Sequence, residues 1–277
     1  MGGGEPYELS NFSNLSNLMP APKIYKTEAI VLKHANLGEA DRILTLYTPN
    51  LGKLKAVVKG ARRATSKLGG HVEPLTHCSL VLARGRNLDT ITQSQTIESF
   101  LPIRNDLWLT AQALYLIELI DAFTADHVEN YPVYKLLLEA LRQLSKVRRI
   151  ELFFRYFELQ LLGHVGYQPQ LRECLNCQSP IEPVENFFSA SGGGILCPNC
   201  AHTEPVVQPI SVNALKIMRL LQRGDYATAS RLRLNSDLSR ELERMIQGYI
   251  RYLLERELRS TGFLDRLRRE GIKVKLD

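Results

Sequence analysis

Residues 42–59 read RILTLYTPNLGKLKAVVK, and this stretch decides how the first third of the chain folds. Pro49-Asn50-Leu51-Gly52 is a turn cluster between two largely apolar runs. After the turn Leu54, Ala56 and Val58 alternate with Lys53, Lys55 and Val57. The strand from Lys53 to Lys59 therefore carries one buried face and one mainly basic face. Outward from this hairpin, Ile24 to Leu32 reads as a first strand and Arg42 to Thr48 as the second. Leu75 to Ala83 makes a fourth, and Leu88 to Ile97 a fifth with Thr90, Thr92, Ser94 and Thr96 along one side. Five short strands in about 75 residues predict a small barrel such as an OB-fold, with a small sandwich as the alternative that the count leaves open.

Past Pro102 the apolar period changes from two to about 3.6. Leu107, Ala111, Leu114 and Ile117 mark one helix, and Val133, Leu137, Leu141 and Leu144 a second with Pro132 near its start. A third carries Ile150, Phe153, Phe154, Phe157 and Leu161 and ends near Gly163 or Gly166. Its aromatic cluster is expected in a core rather than around a ligand. Val212 to Leu221 and Leu238 to Leu258 read as further helices, the latter with a wide apolar face.

The 277 residues hold 35 Lys and Arg against 29 Asp and Glu, a net charge of +6, with a single Trp and five Cys. This composition is that of a folded globular chain of about two domains and excludes a disulfide-dense scaffold. The charge is not spread evenly. Residues 1–22 contribute −2, residues 23–100 contribute +6, and residues 101–277 contribute +2. The predicted barrel owns the positive field.

The first 22 residues read as a flexible leader, with Met19 as a candidate native start. They show neither a secretory signal nor, given Pro6, a complete myristoylation motif. No apolar run reaches the ~18 residues of a membrane span, and the cytoplasm is the expected compartment.

Cys174-Leu175-Asn176-Cys177 and Cys197-Pro198-Asn199-Cys200 are two C-x2-C pairs separated by 19 residues. The spacing is that of a four-cysteine zinc site, two knuckles each presenting two thiolates, and Gly192-Gly193-Gly194 lets the chain turn between them. Two disulfides are the weaker reading in a reducing compartment. Four thiolates leave no open coordination position, so the expected Zn2+ is structural. His202 is expected to be a bystander, and Cys78 a small core residue. The fold class is thus α+β multidomain: an N-terminal five-stranded OB-fold barrel, an α-helical body and an inserted four-cysteine zinc-binding module. The expected boundaries are 23–101 for the barrel, 102–172 with 202–277 for the helical body, and 173–201 for the module.

Catalytic signatures are missing. Gly52-Lys53 lacks the upstream glycine of a phosphate loop, and G-x-S-x-G, H-E-x-x-H and G-x-G-x-x-G do not occur. His71-Val72-Glu73 matches half of a nucleobase-deaminase pattern. However, Leu196 stands where Pro should precede Cys197, and His71 reads better as a loop residue beside the basic cluster. No catalytic residue is assigned.

Between Lys53 and Lys67 lie Lys53, Lys55, Lys59, Arg62, Arg63 and Lys67 with no acid among them. Arg84-Gly85-Arg86 sits at the next strand-to-strand turn, and Lys33 and Arg42 near the first two strands complete the candidate set. The plain reading is a solvated charged surface. The missing local acids and the barrel scaffold favour a nucleic-acid backbone. Tyr47 is a candidate base platform, with a core position equally compatible.

The stretches Thr27-Glu28-Ala29-Ile30-Val31-Leu32 and Gly38-Glu39-Ala40-Asp41-Arg42-Ile43-Leu44-Thr45 resemble the opening of the RecO family. Gly52-Lys53-Leu54, Lys59-Gly60-Ala61-Arg62-Arg63, Ser66-Lys67 and Arg84-Gly85-Arg86-Asn87-Leu88 are similar too. So is the run from Arg155-Tyr156-Phe157-Glu158-Leu159 through Gly166-Tyr167-Gln168-Pro169 to Cys174 and Cys177. The likeness covers residues 23 to about 201; beyond it the helices match by position and pattern only. It implies a DNA repair and recombination mediator, without an enzyme active site and associated with the nucleoid. Such a protein binds single- and double-stranded DNA, anneals complementary strands, and helps load RecA onto strands coated by single-stranded-DNA-binding protein. RecR, in some systems RecF, and the C-terminal tail of single-stranded-DNA-binding protein are the implied partners. Gln178 stands where the family often has Gly after the first cysteine pair.

A second class stays open: a zinc-ribbon adaptor working through protein contacts without direct strand annealing. The apolar faces of Leu238 to Leu258 and the cations Arg256, Arg259, Arg266, Arg268 and Arg269 would then receive an acidic partner tail.

Overall fold

A computed structural model describes residues 23–66, 68–224 and 226–271. The leader and Lys67 lie outside these residues.

Strands β1 (Ile24–Leu37), β2 (Asp41–Thr48), β3 (Gly52–Val58), β4 (His77–Ala83) and β5 (Asp89–Glu98) close a barrel in the order β1-β2-β3-β5-β4. This is the OB-fold arrangement, not a sandwich. Closure depends on β1, whose first half pairs with β4 and whose second half pairs with β2. A register shift between Val31 and Lys33 marks the hand-over. The strand is longer than the sequence predicts because Lys33–Leu37 pair only with β2 and are mostly exposed, so they show no apolar alternation.

Ala29, Ile30, Val31 and Leu32 are all buried, which one-sided burial of a strand does not produce. Ala29 and Val31 point into the barrel with Leu44, Leu46, Leu54, Ala56, Val58, Leu80 and Leu82. Ile30 and Leu32 point outward, with Tyr47 and Leu75, into the core of the helical body. The barrel wall is thus shared between two cores.

The body begins with the single turn α1 (Leu101–Arg104), then α2 (Leu107–Phe123), α3 (Tyr131–Leu144) and α4 (Ile150–His164). The Asp106 carboxylate caps α2 by accepting from the Leu109 N–H at 2.8 Å, and Asn130 caps α3 through the Val133 N–H at 3.2 Å. Helices α5 (Val212–Arg223), α6 (Tyr226–Ala229), α7 (Ser236–Leu254) and α8 (Arg259–Arg269) complete it. The sequence reads one helix through Leu258; the chain instead breaks at Glu255, in the left-handed region at φ 52°. The new helix α8 starts under Glu118 of α2, whose carboxylate accepts from the Arg259 and Ser260 N–H groups at 2.9 and 2.8 Å.

Between α4 and α5, β6 (Asn186–Ser189), β7 (Gly194–Leu196) and β8 (Gln208–Ile210) form a three-stranded sheet in the order β7-β6-β8. Phe188 packs edge-on against Tyr249 of α7 at 5.5 Å, and the Tyr249 hydroxyl donates to the Tyr167 carbonyl at 3.2 Å. No described helix is long and apolar enough to cross a membrane.

In the middle of the body, α4 carries buried Glu158. Its Oε1 accepts from the Tyr115 hydroxyl at 2.5 Å and from Arg155 at 2.6 Å. Burial pushes the Glu158 carboxyl up to about 7, against the opposing pull of Arg155 and Tyr115. The ordinary unfolded value is about 4.3, so the folded chain keeps a proton that the unfolded chain releases in between. The corresponding stability is present below about 4.3 and lost as pH rises towards 7. Accordingly, the Tm of the parent should fall relative to that of Glu158→Gln between pH 5 and pH 8 in thermal denaturation. Parallel pH profiles would contradict this assignment.

Candidate nucleic-acid interface and metal centre

The cations singled out in the sequence divide into two groups. Lys33, Lys53, Lys55 and Arg42 are engaged by acids. Lys33 Nζ lies 2.5 Å from Asp121 of α2, and Arg42 Nη1 lies 2.6 Å from Glu73. Lys55 reaches Asp126 at 3.7 Å. Lys53 does not stand on an open basic face, contrary to the strand alternation. Its ammonium donates to the Asp121 carbonyl at 2.6 Å and lies 3.6 Å from Asp126, and the residue is only 8 % exposed.

The cause is the α2–α3 connection, which crosses the start of β3. The His127 N–H donates to the Lys53 carbonyl at 2.7 Å. The approach is so close that a Cβ on Gly52 would lie 2.0 Å from the Val128 carbonyl oxygen. Tyr47 is likewise buried, and burial pushes its hydroxyl up to about 12, so it serves the shared core and not a base. Cys78 is buried in the barrel, as expected.

The second group faces solvent: Lys59, Arg62, Arg63, Arg84 and Arg86 are all exposed. The segment after β3 is pinned to the β1–β2 turn. The Arg62 N–H donates to the Ala40 carbonyl at 2.9 Å, and the Gly60 N–H donates to Asp41 at 2.7 Å. On the other side Arg84 stacks over the Tyr25 ring, 5.0 Å from its centroid, while the Tyr25 hydroxyl donates to Asp89 at 2.5 Å.

Register joins the two segments. Asp89 and Thr90 pair with Ala56 and Val57 of β3, and Thr90 also pairs with Ala83 of β4. The cations therefore flank the first residues of β5. Two exposed lysines that the sequence reading passed over, Lys23 and Lys26, join this edge, since Ile24 pairs with Ala83 and the Arg84 N–H donates to the Lys23 carbonyl at 2.8 Å. Only the long-range β1–β4 pairing brings them there. His71 sits in a short 3-10 turn, its ring 2.7 Å from the Thr96 hydroxyl.

The four cysteines converge. Sγ atoms of Cys174, Cys177, Cys197 and Cys200 all lie within 4.8 Å of one another, and Cys177 and Cys197 are 3.9 Å apart. Such a group can hold one metal ion. His202 is not part of it. The Cys197 N–H and the Asn176 side-chain amide point at the sulfurs of Cys174 and Cys200, each at 3.4 Å. Burial raises the Cys174 thiol, but the backbone N–H groups of Cys177, Cys197 and Asn176 outweigh it and bring it down to about 6. Burial pushes Cys197 up to about 11. Gln178 closes the first knuckle at φ 58°, its N–H donating to the Cys174 carbonyl at 2.9 Å.

Residues 21–100 match the model for Recombination protein O N terminal, and residues 104–262 match Recombination protein O C terminal. The chain belongs to the RecO family. Similar curated relatives include the DNA repair protein RecO of Dehalococcoides mccartyi (strain ATCC BAA-2100 / JCM 16839 / KCTC 5957 / BAV1), 43 % identical over 250 residues that cover 90 % of this chain and 98 % of the relative. The DNA repair protein RecO of Roseiflexus sp. (strain RS-1) is 40 % identical over 89 % of this chain and 87 % of its own length. That of Desulforamulus reducens is 37 % identical over 90 % and 97 % respectively. Membership places the chain among recombination and DNA repair proteins.

Two substitutions test these placements. Lys53→Ala should lower stability by about 1.5–3 kcal/mol in urea denaturation, the range for a hydrogen bond to a charged group, because the Asp121 carbonyl loses its ammonium donor while the Asp121 carboxylate keeps only Lys33. Gln178→Gly should raise stability by about 1 kcal/mol by relieving the left-handed backbone, with metal content unchanged by elemental analysis.

Proposed function

We propose that the chain is a mediator of DNA repair and homologous recombination whose barrel binds the backbone of single- and double-stranded DNA. The observation that carries this reading is the set of exposed cations around the start of β5. Lys59, Arg62, Arg63 and Arg86 form no ion pair with an acid among the described residues, whereas Lys33, Arg42, Lys53 and Lys55 do. Lys67 belongs to the same proposed set by sequence. Phosphate contacts of this kind hold a strand without reading its sequence and leave its bases free to pair. Annealing then follows from charge screening and raised local strand concentration, and the protein acts without a catalytic centre.

Within this reading the barrel delivers strands while the body meets proteins: RecR, in some systems RecF, and RecA during loading onto strands coated by single-stranded-DNA-binding protein. A cleft of about 390 Å³ on α7, bordered by Arg244, Met245 and Arg251, offers apolar and cationic surface to the acidic tail of that coating protein. The protein works in the cytoplasm at the nucleoid. The cysteine centre holds Zn2+ in a structural role: a tetrahedron with Zn–S of about 2.3 Å requires sulfurs about 3.8 Å apart. The 3.9 Å between Cys177 and Cys197 is compatible with that requirement.

If about five phosphates are contacted, log affinity for a single strand should fall with log salt at a slope near −3.5. Fluorescence titration between 50 and 200 mM salt would register a loss of roughly a hundredfold. Arg62→Ala with Arg63→Ala should weaken binding to every sequence alike and flatten the slope by about one to two. A salt-independent affinity, or an undisturbed double variant, would move the interface elsewhere.

A further inference from the structure

A second cationic surface lies on the helical body, apart from both the barrel edge and the cysteine centre. The turn between α3 and α4 carries Lys146, Arg148 and Arg149, and the segment after α6 carries Arg231 and Arg233. Arg149 fastens the two segments together: its guanidinium donates to the Ser230 carbonyl at 3.0 Å and also to the Leu232 carbonyl. That leaves four exposed cations on one rim. None of the four forms an ion pair among the described residues, in contrast to Arg142, Arg155, Arg240 and Arg268, each of which meets an acid.

The rim borders a groove. Between α3, α4 and α6 runs a cavity of about 480 Å³ whose walls include Phe153, Tyr156 and Tyr226, with Glu139, Gln143 and Ser230 as polar groups; the one carboxylate among them, Glu139, is paired with Lys135 at 3.7 Å. Ser230 is thus both a groove residue and the anchor of Arg149, so the cationic rim and the groove are continuous. The Tyr226 ring stands edge-on to Phe153 at 5.2 Å and lies 5.6 Å from Tyr156. Both tyrosines are half-buried. Cations that follow a backbone beside aromatic faces that accept unstacked bases are the combination used to bind single strands, because every base has a π-face while a duplex hides its own.

We propose that this groove and its rim form a second site for single-stranded DNA, with bases against Tyr156 and Tyr226 and phosphates along Lys146, Arg148, Arg231 and Arg233. The proposal rests on the barrel reading and extends it, since annealing brings together two strands and each would then have its own surface. The spacing suits that role. Strand β5 starts at the cationic barrel edge and ends at Glu98, whose carboxylate accepts from Arg142 Nε at 2.9 and 3.0 Å, one helical turn before Lys146. Its ten residues, about 30 Å when extended, run from the one surface towards the other.

The test uses the full-length, metal-loaded protein and an oligonucleotide carrying 5-iododeoxyuridine. Photocrosslinked peptides should map to Tyr156 or Tyr226, and these crosslinks should vanish in the Arg148→Ala, Arg231→Ala, Arg233→Ala variant. The same triple variant should anneal complementary strands about tenfold more slowly while retaining its affinity for one strand within twofold. Absence of groove crosslinks in the parent, or annealing by the variant at the parental rate, overturns the proposal while leaving the barrel reading intact. Occupation of the groove by an acidic peptide but not by the oligonucleotide would assign it to a protein partner and overturn the proposal equally. If the parent binds no strand at all, both readings fall.

Discussion

The rest of the molecule depends on the burial of a barrel wall from both sides. Ile30, Leu32 and Tyr47 leave the barrel interior to Ala29, Val31, Leu44 and Leu46 and insert instead into the helical core. Each such side chain contributes roughly 1.5–3 kcal/mol when fully buried, a large share of a domain's net stability. Polar groups line the same seam. Buried His77 presents its two ring nitrogens to Glu28 and Glu98 at 3.2 and 3.3 Å, with the Tyr134 hydroxyl of α3 at 3.0 Å. Residues of β1, β4 and β5 thereby meet α3 in one network. The seam fixes which barrel faces are covered and which remain open.

Much of this was legible from residues alone, for definite reasons. Turn chemistry at Pro49–Gly52 and the alternation after it identify the β2–β3 hairpin, and the spacing of the two cysteine pairs identifies the four-sulfur cluster without reference to the fold. What stayed hidden was decided by tertiary contact. Lys53 looks like a surface cation until the α2–α3 connection is laid over it, and Tyr47 looks free until α3 covers β2. The tail of β1 and the start of α8 lack a clear apolar period, the first because Lys33–Leu37 are mostly exposed, the second because Glu118 supplies its cap from another helix. The cationic edge was readable as composition, but its membership was not: Lys23 and Lys26 join it only through the pairing of β1 with β4.

The cysteine centre is also less separate than its sequence spacing implies. Cys174 and Cys200 belong to the main hydrophobic core together with Phe188, Ile195 and Tyr249. A Cβ on Gly194 would lie 2.6 Å from the Gln170 carbonyl oxygen, so the glycine run serves close packing as well as turning. Arg219 of α5 donates to the Leu171 carbonyl at 2.7 Å, tying the approach to the first knuckle to the helices beyond the second. The sulfur cluster therefore lies where two stretches of helical chain that are distant in sequence pack together.

The contrast between the two kinds of cation on the barrel has one more consequence. Lys53 and Asp121 meet in a sheltered place where mobile ions scarcely penetrate, whereas Lys59, Arg62 and Arg63 stand in open electrolyte. Screening acts strongly on exposed charges and weakly on sheltered ones. If a polyanion is held at that edge, a rise in ionic strength would thus strip it away while the joint between barrel and helices holds. Release of such a ligand and integrity of the fold would answer to different parts of the same charge inventory, so the one could occur without the other.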